Sequence, residues 1–525
     1  MEDRTGDSAC SRADQSAASA EVRRSSTVSG AASGTSVRSS ESASTAAAWA
    51  SGSALPAARS SGSRSRARSC TLRWSGSMLP ASPPPGRSNP AARTGRSRLF
   101  TGTHAGRTTA ARARRGNRVE DMNVVFVEPS FPPTQRHFVR ALAEVGASVI
   151  GVGERPGDWL DDELRGWMTE YHQIDNVTDV GHMTDFLRWV QGRMWVDRLE
   201  TTIEAHTLPV AQVRETCTIP GTSVRTAWLC RDKPSMKEAL RAAGVPTAAS
   251  TAAYDADQVW AFADAVGFPL ILKPRTGAGA LDTTRVDTRE ELAAALDGTR
   301  AESIAVEEFV EGHEGFYDTL SVHGDPRLEF VSHYFPNVLE AMRTRWISPE
   351  FIATNRVDSE PDYQQLKELG RRVNEALGIG TSATHMEWFF GPKGLRFSEI
   401  GCRPPGVGAW DLYSAGNEID LYRAWADSVV HQDVWHRPTR RYAAGIVALR
   451  PTQDGHISGY EGVEEIQGRH GEWVLDAHLP PPGTPTQPVA AGYMANAYVR
   501  MRHPDYDLLR AMLDDVGRTV RVHAA

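Results

Sequence analysis

The residues of this chain best able to do chemistry fall in four short stretches between positions 231 and 403. The first, RDKPSMK, sets Lys233 and Lys237 four residues apart, on one face if the turn is helical; two lysines so placed also serve simply as a solvated surface. In GFPLILKPRTGAGALDTTRV, Lys273 closes an apolar run and a glycine loop with Gly277 and Gly279 follows directly. Glycines let a backbone close over phosphates, and a lysine supplies the point charge that phosphates need. The order is the reverse of a P-loop, whose lysine comes after the glycines and opens a helix. VEEFVEGHEG crowds Glu307, Glu308, Glu311 and Glu314 along a strand and its exit. Buried strands rarely tolerate acids, so this is either a solvated edge or a place where carboxylates meet a polar ligand, accepting from ribose hydroxyls while the backbone reads an adenine edge. Last, HMEWFFGPKGLRFSEIGCRPPG puts Glu387 and Glu399 at matching places on two strands joined by a turn. If they face each other, their charges repel unless a cation intervenes, and one or two carboxylates completed by substrate phosphates commonly hold magnesium. If they point to opposite faces, they are ordinary surface acids. Arg403 follows closely, a fork-shaped donor suited to phosphoryl or carboxylate oxygens.

The elements that must position these residues can be read coarsely. Asn123–Glu128 (NVVFVE), a helical stretch near Arg136–Val145 and a second apolar run at Ser148–Val152 read as strand, helix, strand, the start of a parallel α/β layer. Helical periodicity returns near Met183–Val190 and near Leu199–Val213, where Pro209 should break or kink it. Gly151 and Gly153 look like part of a dinucleotide fingerprint, but the third glycine falls at 157 and Pro156 intervenes, so they are read as a turn after a strand. A second unit starts near Arg231 with one helix through Met236 and Leu240 and another from Asp255 to Gly267. Strands then dominate at Leu270–Lys273, Thr283–Val286, Ile304–Val310, Tyr317–Val322 and Leu328–Tyr334, with a helix near Glu290–Leu296. A helix through Leu366, Leu369, Val373 and Leu377 precedes the hairpin strands His385–Phe390 and Leu395–Ile400.

Read in order, Lys233, Lys273 with its glycine flap, EEFVEGHE and the Glu387/Glu399/Arg403 hairpin give the chain from about Asn123 to Val430 a resemblance to the ATP-grasp superfamily. Members include D-alanine–D-alanine ligase, biotin carboxylase and amino-acid ligases. The resemblance implies an α/β and α+β chain: a Rossmann-like N-terminal domain over 122–230, an ATP-grasp domain over 231–440 and a C-terminal α+β lobe over 441–525. It implies ATP and magnesium as cofactors, with manganese an acceptable substitute. By the same resemblance Lys233 and Lys273 contact phosphate, Glu307, Glu308 and Val310 border adenine, Glu314 binds ribose, Glu387 and Glu399 hold metal, and Arg403 with Lys273 steadies an acyl phosphate. The family often has Asn two residues after the second metal Glu; here that position is Gly401, which cannot bind metal through a side chain. The activity implied is ATP-dependent activation of a carboxylate as an acyl phosphate, then attack by an amine, with the Arg275–Ala280 flap excluding water. Small-molecule carboxylates and amines would be the partners, a homodimer remaining open. His333, Arg343, Arg345, Arg356 and His385 are candidate substrate contacts. A carboxylase and a non-catalytic ATP-binding regulator are the alternatives.

Composition bounds these expectations. Residues 1–121 are Ser, Ala, Arg, Gly and Pro in irregular order and carry 19 Arg, no Lys and 8 acids, a net charge of +11, against −18 for the remainder. Such a segment buries too little to offset its ordering entropy and is expected to be a disordered tail, or an upstream start before Met122. An Arg-rich head also suits a nucleic-acid arm or a transit peptide, though neither explains the missing lysine. No run of 18 apolar residues suggests a membrane span. The five cysteines, without CxxC spacing, argue against a disulfide framework and fit a reducing cytoplasm.

Overall fold

The computed structural model describes residues 122–276, 282–297 and 303–525. The expected tail over 1–121 and the glycines Gly277 and Gly279 lie outside the described residues.

The described residues open with a four-stranded parallel sheet in the order β3-β2-β1-β4, formed by β1 (Asn123–Val127), β2 (Ser148–Gly153), β3 (Glu170–Gln173) and β4 (Arg198–Glu200). Strand β1 (NVVFV) is apolar on both faces because helices cover both. On one side Phe126 packs with Phe138 and with Trp425 from much later in the chain. On the other, Val125 and Val127 pack with Leu187, Val210 and Val213. Two expectations need correction here. Residues 199–203 are not helical: β4 ends at Glu200, a single 3-10 turn spans Glu204–His206, and the α-helix runs Thr207–Thr216. Pro209 sits in the first turn of that helix, where a missing amide removes no helical hydrogen bond, so it helps start the helix. Gly151 and Gly153 lie within β2 and not in a turn after it. A Cβ at Gly153 would come 2.9 Å from the Tyr171 hydroxyl on the neighbouring strand, and close packing of that ring is what glycine permits.

A small antiparallel sheet follows in the order β5-β8-β6-β7, from β5 (Ser250–Ala253), β6 (Leu270–Pro274), β7 (Thr284–Val286) and β8 (Ile304–Glu308). Its apolar face packs on the helix Ala256–Val266, which Asp255 caps by accepting from the Gln258 amide and Gly267 ends at φ +86°. The remaining strands of the site belong to an eight-stranded antiparallel sheet, ordered β13-β12-β9-β10-β11-β14-β17-β16. These are β9 (His313–Val322), β10 (Asp325–Phe335), β11 (Glu350–Ala353), β12 (Ser382–Gly391), β13 (Gly394–Gly401), β14 (Ala443–Leu449), β16 (Val474–His478) and β17 (Ala497–His503), while β15 (Ile457–Glu461) pairs separately with β18 (Arg521–Ala524). The segment read as a separate C-terminal lobe thus contributes three strands to the sheet that carries the Glu387/Glu399 hairpin.

Each face of the large sheet has its own cover. Tyr317, Val331, Met386, Trp388 and Phe397 pack under the helix Asp362–Leu377, whereas Phe316, Phe330, Phe351 and Ile446 pack against the helices Ala409–Asn417 and Leu421–Val430. Strict alternation along a strand sets which side chains belong to which face. Among the described residues no helix is long and apolar enough to cross a membrane.

Candidate active site

The helix Lys233–Ala242 starts where it does because Asp232 caps it, accepting from the Ser235 amide, and Pro234 occupies a first-turn position that needs no amide. Arg275, just after β6, doubles that anchor with two bonds of 2.8 and 2.9 Å to the Asp232 carboxylate. With the register so fixed, Met236 and Leu240 enter the core and Lys233 and Lys237 are both buried. Lys237, 1 % exposed, places its ammonium 2.6 Å from Glu307 Oε2 on β8. Lys273 on β6 reaches the same oxygen at 2.9 Å. Register explains the convergence: Ile271 pairs with Glu307 and Lys273 with Ala305, so Lys273 and Glu307 are diagonal neighbours on one face.

Burial alone would raise the Glu307 carboxyl, but Lys237 and Lys273 outweigh it and hold it down at about 2. Burial dominates for Lys237 and pulls it down to about 8 despite Glu307. Burial also opposes the charge on Lys273, yet Glu307 and Glu399 together keep that ammonium above its ordinary value. The line of charge continues into the large sheet, because Glu399 Oε2 lies 3.5 Å from Lys233 Nζ and 4.0 Å from Lys273 Nζ.

Glu387 and Glu399 are direct partners across β12 and β13. A regular hairpin from the Gly391–Gly394 turn would pair Glu387 with Ser398 and send Glu399 to the opposite face. A β-bulge prevents this: Trp388 pairs with Phe397, the next pair is Glu387 with Glu399, and Ser398 is the extra residue. Both carboxylates therefore share the face that carries Glu314 and Asp318 of β9 and His385 of β12. Burial, then the charges of Glu399 and Glu314, push the Glu387 carboxyl up to about 8. Burial also works against a charged Glu399, but Lys233 and Lys273 outweigh it and hold that carboxyl below its usual value. Two facing carboxylates with one under this strain are the donor set that a hard divalent cation fits, completed by phosphate oxygens. Behind Glu387, Asp318 accepts from Tyr413 at 2.5 Å and lies 2.8 Å from His385 Nδ1, whose Nε2 is 3.9 Å from Glu387.

The other expected residues divide. Arg403 is half-buried, with Nε donating to Glu204 at 2.8 Å and Nη1 to the Pro404 carbonyl at 2.8 Å. Glu314 is buried, accepts from the Val338 amide at 2.8 Å, and is pushed up to about 7 by burial. Glu308 turns away from Glu307 toward Lys393 at 3.2 Å, and Val310 is buried just past the end of β8. Of the candidate substrate contacts only His385 shares a face with Glu387. His333 lies on the opposite face, bonded to His313 and Tyr363 at 2.9 and 2.7 Å. Arg345 and Arg356 pair with Asp454 and Asp507, and Arg343 is exposed. Three side chains of the site escaped the sequence: Glu204, Asp318 and Tyr413. Glu204 is 199 residues from its partner Arg403, and no local pattern marks such a contact.

Residues 232–314 match the family described as carbamoyl-phosphate synthase L chain, ATP binding domain. The chain is 26% identical over 324 residues to the L-arginine-specific L-amino acid ligase of Bacillus subtilis, covering 60% of this chain and 76% of that protein. It is 26% identical over 221 residues to the alanine–anticapsin ligase of Bacillus subtilis, covering 38% of this chain and 46% of that one. Among solved structures, the L-amino acid ligase from Bacillus licheniformis superposes with a TM-score of 0.62 at 18% identity, covering 77% of this chain and 99% of that one. N5-carboxyaminoimidazole ribonucleotide synthetase from Thermotoga maritima superposes with a TM-score of 0.55 at 16% identity, covering 77% and 100%.

Proposed function

We propose that this chain, which has the ATP-grasp fold, is an ATP-dependent carboxylate–amine ligase, with an amino acid as at least one of its substrates. The observation that carries the proposal is the Glu387/Glu399 pair, brought face to face by a bulge and reached by Lys273 of the small sheet and Lys233 of its neighbouring helix. The amino-acid ligases among its relatives support the substrate class. In this proposal the Rossmann-like layer at the start of the folded chain borders the substrate end, the protein works in the cytoplasm, and a homodimer is its assembly.

The chemistry brings anion against anion, since a phosphate must approach a carboxylate. Magnesium, held by Glu387 and Glu399, would supply charge neutralisation at the outer phosphates. Lys273 contributes an ammonium kept charged by Glu307 and Glu399, and Lys233 adds a second one beside Glu399. Lys237, fully engaged with Glu307, orients that carboxylate and holds β8 against the helix. Glu307, Glu308 and Val310 border the adenine, and the Glu314 oxygen not bound to Val338 takes a ribose hydroxyl. Arg403 steadies the carboxylate as it becomes an acyl phosphate, and exclusion of water preserves that intermediate until the amine attacks.

The test is ADP release from MgATP with each of the standard L-amino acids, singly and in pairs, with and without hydroxylamine. An amino acyl hydroxamate formed with ADP is the expected product. ADP release that requires bicarbonate and yields no hydroxamate would replace the ligase with a carboxylase, and ATP binding without turnover would leave a nucleotide-binding regulator.

A further inference from the structure

The proposed function explains neither why position 401 is glycine nor why a carboxylate from the first sheet's edge reaches the metal hairpin. Glu204 lies four residues past the end of β4, in a single 3-10 turn. Its Oε2 accepts from Arg403 Nε at 2.8 Å, its Oε1 lies 3.5 Å from Arg231 Nη1, and its carbonyl also accepts from Arg231. The space it occupies is the one a side chain at 401 would take, since a Cβ built on Gly401 would come 2.8 Å from Glu204 Oε2. Gly401 is not at a positive φ, so backbone conformation does not require glycine there. Room for the carboxylate does.

We propose that Glu204 is a positioning residue for Arg403, and that glycine at 401 is the vacancy that admits it. Arg403 has two donors fixed, Nε by Glu204 and Nη1 by the Pro404 carbonyl, while Nη2 has no protein partner among the described residues. A guanidinium is planar, so fixing two of its nitrogens fixes the direction of the third. Arg231, two residues before the lysine-bearing helix, holds Glu204 in turn. The first sheet thereby sets the aim of a side chain on the hairpin. An added side chain at 401 would displace only the flexible end of Glu204, so its main effect is to move the carboxylate off Arg403.

This inference rests on the role given to Arg403 in the proposed function, and the test separates the two. The probe is MgADP with aluminium fluoride, a mimic of the transferring phosphoryl group, with MgADP alone as the control, each binding followed by calorimetry. Glu204→Gln, Glu204→Ala and Gly401→Ala should each weaken the aluminium fluoride complex by about tenfold, the loss of one oriented charge-assisted contact, and leave MgADP binding unchanged. Glu204→Ala/Gly401→Ala should be no weaker than Glu204→Ala, because the methyl then displaces nothing. Unchanged MgADP binding also reports that each variant is folded. If Arg403→Ala binds the mimic like the parent, the role of Arg403 is wrong whatever Glu204 does. If Arg403→Ala weakens it and the Glu204 variants do not, Glu204 positions nothing. If the Gly401→Ala loss persists in full without the Glu204 carboxylate, glycine serves some other purpose and the proposal falls.

Discussion

Replacing Lys237 by Met tests whether the buried lysine–carboxylate cluster is arranged as described. The structure gives both sides of the interaction. Glu307 is held at about 2 against an ordinary 4.5, a shift equivalent to about 3 kcal/mol of stability in the charged form. Lys237 is pulled down to about 8 from 10.5, which costs about as much while it stays charged. The two shifts nearly cancel, as expected for an ion pair taken out of water, so the intact pair adds little net stability. Breaking it is another matter. Removing one partner of a buried pair typically costs about 3–5 kcal/mol, and Lys273, still 2.9 Å from Glu307, offsets part of that, leaving an expected loss of about 2 kcal/mol at pH 7. The sign with pH follows from Glu307: its contribution is present above pH 4.5 and is lost as pH falls through about 2. In Lys237→Met the carboxyl titrates at a higher pH in the folded state, so the gap between variant and parent should narrow as pH drops from 7 to 3. Urea unfolding followed by tryptophan fluorescence at pH 7, 5 and 3 measures this. Lys237→Met/Glu307→Gln should be more stable at pH 7 than Lys237→Met, because no half-paired carboxylate remains. A loss under about 0.5 kcal/mol, or one that is constant with pH, would refute the buried pairing.

Further outcomes follow from the same geometry. Lys273→Ala and Glu399→Ala should abolish ADP release while far-ultraviolet circular dichroism remains that of the parent; unchanged turnover in either would remove the basis of the ligase proposal. Glu350 on β11 is buried, has an oxygen without a hydrogen-bond partner, and is pushed up to about 8 chiefly by burial. Its raised value means that folding is favoured most below pH 4.5 and loses that contribution as pH rises through about 8. Glu350→Gln should therefore raise the unfolding free energy from urea titration at pH 8.5 by about 2–4 kcal/mol, and hardly at all at pH 4; an equal effect at both would contradict the burial of this carboxylate.

Much of the fold was legible because its elements carry strong local marks. Asp255 and Gly267 bracket one helix, and the helical spacing of Met236 and Leu240 marks another. The short strands β5 (STAA) and β11 (EFIA) were missed because four residues hold too little alternation to register. At the site, the order of charged residues along the chain pointed to the facing Glu387 and Glu399 but not to the lysine–carboxylate ion pairs around them. Lys233 and Lys237 are equivalent in sequence, and only packing separates one engaged with Glu307 from one beside Glu399. His333 and His385 read alike as ring nitrogens on strands. They differ because the antiparallel register aligns Ser332, not His333, with the Phe316 that pairs with Glu387.

The hairpin shows most plainly what one chain's letters hide. Counting outward from Gly391 and Gly394, four residues lead back to Glu387 and five lead on to Glu399. On uniform strands that odd difference puts the carboxylates on opposite faces, where no cation could bridge them. The apolar residues of β13 carry the sign that the count must break. Phe397 and Ile400 are both buried in the core under the helix Asp362–Leu377, yet they are three apart, an odd interval that alternation forbids on one face. One extra residue between them resolves the conflict, and Ser398 is that residue. Burial of two apolar side chains, each worth about 2 kcal/mol, thus enforces the bulge, and the bulge turns Glu399 toward Glu387. The carboxylate pair is held together against its own repulsion by a core on the other side of the sheet.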